Sequence, residues 1–387
     1  MSERATSRRN RGLFIVIIFA AVVLIVVGGS LLNQQQELAN QPTPTPSPQP
    51  VGEVFCYIGS EKADFLENPA VVEILRDRYN LAVDFQTEGS IEQARRTDAE
   101  LAGVDCLWPS NSSAVEVFEA GRTDTYPSQN IFNTAMVIYS WPQVVEPLVA
   151  QGLITNEGDY YTIDMQTLAE LLTADPATTW ADLGIGELYG TLNVHSSDPT
   201  ASNSGHLFYA MLANMLNGSP TPSTLAELQS NTPLLQAYYE RQGDMFHSSG
   251  DLFEHFIVSG WGTYPLMANY EFLRIELMLR YASNPAVQAQ IRDQIKVIYP
   301  QPTVWSSHPV IALTDGGRAL IQALQDEDIQ RIAWEQHGLR SGISGIENDP
   351  AALAVDGIPE QVTSIMNLPR ADVMIRFVEL LEAGRAP

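Results

Sequence analysis

Ser196-Ser197-Asp198-Pro199-Thr200-Ala201-Ser202-Asn203-Ser204-Gly205 (SSDPTASNSG) stands between two apolar runs: Thr191–His195, which reads as a strand, and His206–Leu216, which has helical spacing. That order places the N-terminus of a helix just beyond the carboxyl end of a strand. The first N–H groups of a helix lack internal partners, and the aligned peptide dipoles add partial positive charge there. Ser202, Asn203 and Ser204 contribute short donors, and Gly205 allows close approach to the backbone. The segment is a candidate cradle for an anionic or polar ligand. Ordinary capping uses the same residue types, so local chemistry leaves both readings open.

The surrounding chain alternates strands and helices. Upstream, Val54–Ile58, Leu81–Phe85 and Val104–Trp108 read as buried strands. Between them lie a helix carrying Val71, Val72, Leu75 and Tyr79 on one face and a second helix candidate, Ile91–Leu101. The β-α-β-α-β order implies right-handed crossovers and a parallel sheet. Ser60 and Ser110 fall in loops at the ends of the first and third strands, where such sheets bind ligands. A second unit begins near Asn133, with a strand at Ala135–Tyr139 and helices at Val144–Gln151 and around Met165–Leu172. Beyond the polar segment, helices are predicted at Thr232–Arg241, Leu252–Val258 and Glu271–Tyr281. Strands are predicted at Pro265–Asn269, Lys296–Tyr299 and His308–Leu313, and helices fill the remainder to Leu381. The fold class is α/β, in two units of unequal size.

The N-terminus has a different character. Arg4, Arg8, Arg9 and Arg11 precede Leu13–Leu32 (LFIVIIFAAVVLIVVGGSLL), a charge-free run long enough to cross a bilayer core of about 30 Å. The basic flank stays cytoplasmic by the positive-inside rule, which puts the rest outside. The run exceeds the apolar core of an ordinary signal peptide. It is therefore read as an uncleaved signal-anchor, with cleavage after a small residue such as Ala39 as the competitor. Asn33–Gly52, with QQQ and PTPTPSPQP, favours an extended solvated spacer. The division is thus 1–12 basic cytoplasmic tail, 13–32 transmembrane helix, 33–52 Pro/Thr/Gln linker, and a folded part from 53 onward. The expected location is the plasma membrane, single-pass, with the C-terminal domain extracytoplasmic.

With 46 acidic and 21 basic residues among 387, the net charge is −25. Nucleic-acid partners, which need a basic surface, are excluded. The two cysteines, Cys56 and Cys106, each lie three residues before a loop ending a strand. An extracytoplasmic disulfide and two buried thiols both fit. No CxxC, HExxH, P-loop or GxGxxG pattern occurs, and the histidine pairs His195/His206 and His247/His255 lack metal-site spacing. Ser344 in GISGI lacks the context of a hydrolase nucleophile. No cofactor, metal or catalytic residue is predicted, and the chain is not read as an enzyme.

Asp198–Gly205 resembles the hinge-side binding segment of type-2 periplasmic binding proteins, in particular the extracellular solute-binding family that includes molybdate-type binding proteins. IFNTAMVIYSW (131–141), TTWADLG (178–184), NYE (269–271) and TVWSSHPVIAL (303–313) add to the resemblance, which covers Gly52 to about Pro387. It implies two α/β lobes joined by crossing strands, 53–132 plus 297–387 and 133–296, closing on a small ligand such as an oxyanion. The cleft would be lined by Ser60, Ser110, Ser197, Asn203, Ser204 and Tyr270. Asp198, Thr200, Ser202, Glu271, Trp141, Trp305 and His308 form a second tier. The implied function is capture of a small polar molecule for uptake through an ABC-type permease or for sensing. A surface receptor or scaffold on the same fold is the alternative, and an extracellular hydrolase has no motif in its support.

Overall fold

The structure is a computed structural model that describes residues 52–383 apart from 121, 219, 220, 223 and 354. The apolar run Leu13–Leu32, its basic flank and the linker up to residue 51 lie outside the described residues. Among those described, no helix is long and apolar enough to cross a membrane.

Three parallel strands open the fold as the alternation predicts. β1 (Gly52–Ile58) lies between β2 (Leu81–Thr87) and β3 (Cys106–Trp108). Val54, Cys56 and Ile58 alternate into one core face, where Phe65 packs edge-on against Phe132 with ring centroids 4.9 Å apart. Phe55 and Tyr57 point to the other face, toward Leu107 and Phe118. Cys56 pairs in register with Cys106, and the two form a disulfide with Cα atoms 4.7 Å apart. The choice between a bridge and free thiols is settled by that register.

The long strand β4 (Ser128–Ser140) organises the rest. Its first part, Ser128–Ala135, pairs antiparallel with β9 (Trp305–Ala312), which continues the first sheet beyond β3. Its second part, Met136–Ser140, pairs antiparallel with β7 (Leu266–Tyr270). Ile138–Ser140 also pairs with β8 (Lys296–Gln301). β8 continues to the hairpin of β5 (Ile154–Asn156) and β6 (Tyr161–Asp164). A short β10 (Arg340–Ser341) pairs with β4 at Phe132 and Asn133. The sheet is therefore mixed, and both β4 and the β8–β9 run pass from one set of strands to the other.

Four expectations need correction. The strand expected at Ala135–Tyr139 is the end of a strand that starts at Ser128. Thr191–His195 is no regular strand: it makes isolated bridges at Thr191 and His195. Val194 O instead accepts from Tyr238 Oη (2.7 Å) and Gln242 Nε2 (2.8 Å), so side chains satisfy the backbone there. The helix expected over Ile91–Leu101 stops at Arg95, and turns follow. The C-terminal remainder is only partly helical. Helices Asp315–Leu324 and Glu327–His337 are followed by an irregular stretch, and a final helix spans Ala371–Ala383. The irregular stretch finds its backbone partners elsewhere: Thr303 N donates to Ser364 O (2.9 Å), and Asn214 Nδ2 donates to Asn367 O (2.6 Å).

The Cys56–Cys106 bridge closes a loop with a sequence separation of 50. Removing such a cross-link costs about 3–5 kcal/mol on loop-closure grounds. The Cys56→Ala/Cys106→Ala double variant, compared with the oxidised protein by urea denaturation, is expected to lose stability in that range. Superimposable curves would show that the β1–β3 pairing holds without it.

Candidate functional site

The helix begins at Asn203, three residues before the expected His206, and runs to Asn217; Asn203 reaches across to the loop after β3. Its Nδ2 donates to Ser110 O (2.7 Å) and to Tyr270 Oη (2.9 Å), with Ser306 Oγ at 3.3 Å. An amide has only two N–H donors, so the two shorter contacts take them. Ser306 Oγ also donates to Ser110 O (2.6 Å). Four residues from separate parts of the chain thus converge on one carbonyl and one phenol. Tyr270, at the end of β7, is fully buried, and burial first of all pushes its hydroxyl far above the usual tyrosine range, so it stays protonated.

Directly beside this network is a buried ion pair. The Glu61 carboxylate accepts from Lys62 Nζ and Ser110 Oγ, and Lys62 Nζ also donates to Ser110 Oγ (3.0 Å). His308 Nδ1 lies 3.6 Å from Glu61 Oε1 and has no hydrogen-bond partner among the described residues. Burial alone would raise the Glu61 pKa. That effect is the largest single one, but the Lys62 ammonium, the His308 ring and the hydrogen bonds from Lys62 and Ser110 together outweigh it, and the carboxyl falls to about 2. Burial lowers Lys62, with Glu61 opposing. Burial, reinforced by the Lys62 charge, lowers His308 to about 3, which keeps the ring neutral at physiological pH.

A contiguous cleft opens above these groups. One part, of about 200 Å³, is lined by Ser60, Glu61, Ser110, Ser202, Asn203 and Tyr270 among others. A wider part of about 680 Å³ extends along Glu88, Arg96 and Thr200 to His206 and His247. A third, of about 280 Å³, runs from Ser60 and Glu61 toward Ser248 and Phe272. The walls come from loops after β1, β2 and β3 on one side and from helix starts at Asn203 and Ser249 on the other.

The structure brings Ser60, Ser110, Asn203 and Tyr270 to this cleft, with Ser202 and Thr200 beside them. Ser197 and Ser204 lie just beneath and are wholly buried. Their hydroxyls bond each other (2.6 Å), and Ser197 Oγ takes the Gly205 N–H (2.9 Å). The capping chemistry of the loop is therefore used internally. Asp198 likewise accepts from Thr200 N (2.9 Å) and Thr200 Oγ1 (2.7 Å), an Asx-type turn. Gly205 is required by contact: a Cβ there would meet Ser197 O and lie 2.8 Å from Pro199 N.

Three second-tier residues are placed elsewhere. Glu271 is 2% exposed and accepts from Arg340 Nε (2.7 Å) and Nη2 (2.9 Å) and from Tyr299 Oη (2.7 Å), away from the cleft lining. Trp141 stacks on Phe256 with centroids 4.7 Å apart and donates to Tyr264 O (2.9 Å). Trp305 lines a separate groove with Asn133, Arg340 and Glu347. His308 belongs to the floor beneath Glu61. Sequence reasoning missed Glu61, Lys62 and Ser306. Ser306 was within reach, since positions i and i+2 of a strand share a face and His308 had been singled out. Glu61 and Lys62 directly follow Ser60, but a charged pair after a strand reads as a solvated turn.

No family model matches the sequence, and no curated protein matches it. Solved structures do match in fold. Iron-bound HitA from Pseudomonas aeruginosa aligns with a TM-score of 0.56 at 12% identity, covering 86% of this chain and 99% of that one. The periplasmic binding protein AfuA from Actinobacillus pleuropneumoniae, with fructose-6-phosphate bound, aligns at 0.54 and 12%, covering 86% and 97%. The substrate-binding protein of an ABC transporter from Agrobacterium tumefaciens aligns at 0.53 and 14%, covering 87% and 94%. The chain has the mixed α/β fold of periplasmic binding proteins. The first of these holds iron and the second a sugar phosphate, and nothing in the three singles out molybdate-type relatives.

Burial lowers His195 and His206 to about 4, and His308 goes to about 3, each from an ordinary 6.5. The unfolded chain therefore takes up these protons first as pH falls. The associated stability is complete above pH 6.5 and is lost progressively toward pH 4 and below. Urea midpoints are expected to drop between pH 7 and pH 5, and less so in His206→Gln; equal midpoints at the two pH values would contradict neutral burial. Gly205→Ala is expected to cost about 1–3 kcal/mol by overpacking against Ser197 and Pro199, checked by the same denaturation.

Proposed function

We propose that this chain is an extracytoplasmic solute-binding protein that captures a small polar ligand in the cleft around Asn203 and presents it to an ABC-type permease or a sensing partner. The observation that carries the reading is the Asn203 amide, which starts a helix on one side of the cleft and bonds the Ser110 carbonyl on the other. A group placed there is touched by both sides at once, so binding can shift an opening equilibrium. The two lobes would be 53–132 plus 297–387 and 133–296, hinged on β4 and on the β8–β9 run. The partner switch along β4 supports this division, with the change falling at Ala135–Met136.

The neighbours named above are binding proteins, and Ser306 Oγ, 3.4 Å from His308 Nε2, donates its hydroxyl hydrogen to Ser110 O instead (2.6 Å), so no covalent step is proposed. Leu13–Leu32 is proposed to hold the folded part at the outer face of the membrane, with the Pro-rich linker as spacer. The disulfide is compatible with that oxidising side.

Thermal unfolding of the full-length protein against a panel of sugars, polyols, amines, amino acids and oxyanions tests the reading. Ligand at 100 times its dissociation constant adds about 2.7 kcal/mol, a readily measured shift. The stabilisation is expected to vanish in Asn203→Ala. Silence across the panel, or a hit that Asn203→Ala leaves unchanged, would turn the case toward a receptor or scaffold role that does not use this cleft.

A further inference from the structure

Resting on the solute-binding reading, we propose that Glu61 is the specificity-determining residue of the cleft: its carboxylate already fills the anion seat at the floor, so the site takes ligands that donate O–H or N–H groups and rejects free oxyanions. The seat is built from donors an oxyanion would use. Ser110 Oγ and Lys62 Nζ both bond Glu61 Oε1, and His308 Nδ1 is 3.6 Å from the same oxygen. Lys62 is 0% exposed and does not line the cleft, whereas Glu61 does. An approaching ligand meets the carboxylate, with the ammonium behind it.

The backbone is shaped for this arrangement. A Cβ on Gly59 would meet Ser110 Oγ and would lie 2.5 Å from Glu61 Oε1 and 2.7 Å from Oε2. A side chain there would push the Glu61 carboxylate and the Ser110 hydroxyl out of this arrangement. Every hydrogen bond to the Glu61 side chain among the described residues falls on Oε1, which leaves Oε2 as an acceptor for a ligand donor.

Each arginine lining the cleft lies beside a carboxylate of the protein itself. Arg96 holds Glu88 through Nε (2.9 Å) and stacks over Tyr57. Arg95 is 3.6 Å from Glu379, and Arg280 is 3.8 Å from Asp64. A carboxylate facing an incoming anion is unfavourable unless one of them is protonated, and Glu61, held at about 2, stays ionised at any physiological pH. Discrimination by a repulsive group of this kind is how sites exclude near-matching ligands.

The test titrates sulfate, phosphate and molybdate into the full-length wild type and Glu61→Gln by calorimetry, alongside the polyol and amine arms of the panel. Wild type is expected to bind none of the three. Glu61→Gln, which frees Ser110 and Lys62 for an external anion, is expected to gain at least about tenfold in oxyanion affinity. Glu61→Gln/Lys62→Met is expected to lose that gain. Oxyanion binding by wild type that Glu61→Gln leaves equal or weaker would overturn the inference while upholding solute binding. No oxyanion binding by either protein would also overturn it, and the polyol and amine arms then decide the solute-binding reading separately. Should Glu61→Gln fail to fold, Glu61→Asp withdraws the carboxylate by one methylene; undiminished binding of the wild-type ligand in that variant would equally sink the proposal.

Discussion

The constraint on which the molecule depends is the backbone of β4. Its last seven residues, Thr134–Ser140, are buried, so every N–H and C=O along them must find a partner. They do so by changing neighbours: β9 up to Ala135, then β7 and β8 from Met136 onward. That change of partner is what allows one strand to serve two sets of neighbours. It also brings Ser306 of β9 and Tyr270 of β7 close to one point, where Asn203 and Ser110 meet them. The site is a by-product of where the crossing strand must hand over its hydrogen bonds.

A second buried pair steadies that point. Glu271, the residue after Tyr270, receives two bonds from Arg340 and one from Tyr299. Arg340 Nη2 also donates to Pro359 O (3.1 Å), and the guanidinium lies over Trp334. Desolvating two charges is costly, and such a pair is retained only when most of its lone pairs and donors are satisfied, as they are here. Arg340 sits in β10, paired to the first part of β4, while Glu271 follows β7, paired to the second part. The ion pair therefore spans the hand-over and holds Tyr270 in place. Glu61–Lys62 is a different case, because its carboxylate keeps one oxygen toward the cleft. One pair is structural and closed, and the other is half-open.

Much of the architecture was legible before any coordinates. Short apolar runs read as β1, β2 and β3, and the polar segment read as the entry to an apolar helix, although the run before it, Thr191–His195, is no regular strand. Ser60, Ser110 and Asn203 stood out because loops at strand ends and helix starts are where open α/β sheets expose polar groups, and Tyr270 through the family resemblance; the structure brings all four to one cleft. Local reasoning failed where side chains replaced backbone pairing, as at Val194. It failed again where irregular chain docks on other elements, as around Ser364 and Asn367. It could not foresee that Ser197 and Ser204 would spend their hydroxyls on each other.

What the sequence determined by itself was periodicity and punctuation: most of the regular strands and helices, and which loops carry polar groups at their junctions. Those follow from residue spacing within about ten positions. The tertiary structure decided the rest. Whether two cysteines bridge depends on the register of β1 against β3. Whether Glu61 is a solvated turn residue or a buried carboxylate depends on Lys62, Ser110 and His308, up to 247 positions away in the chain, arriving around it. Burial turns an ordinary acidic residue into the group that defines the cleft, because a charge removed from water is governed by its nearest partners, and those partners are brought together only by the fold.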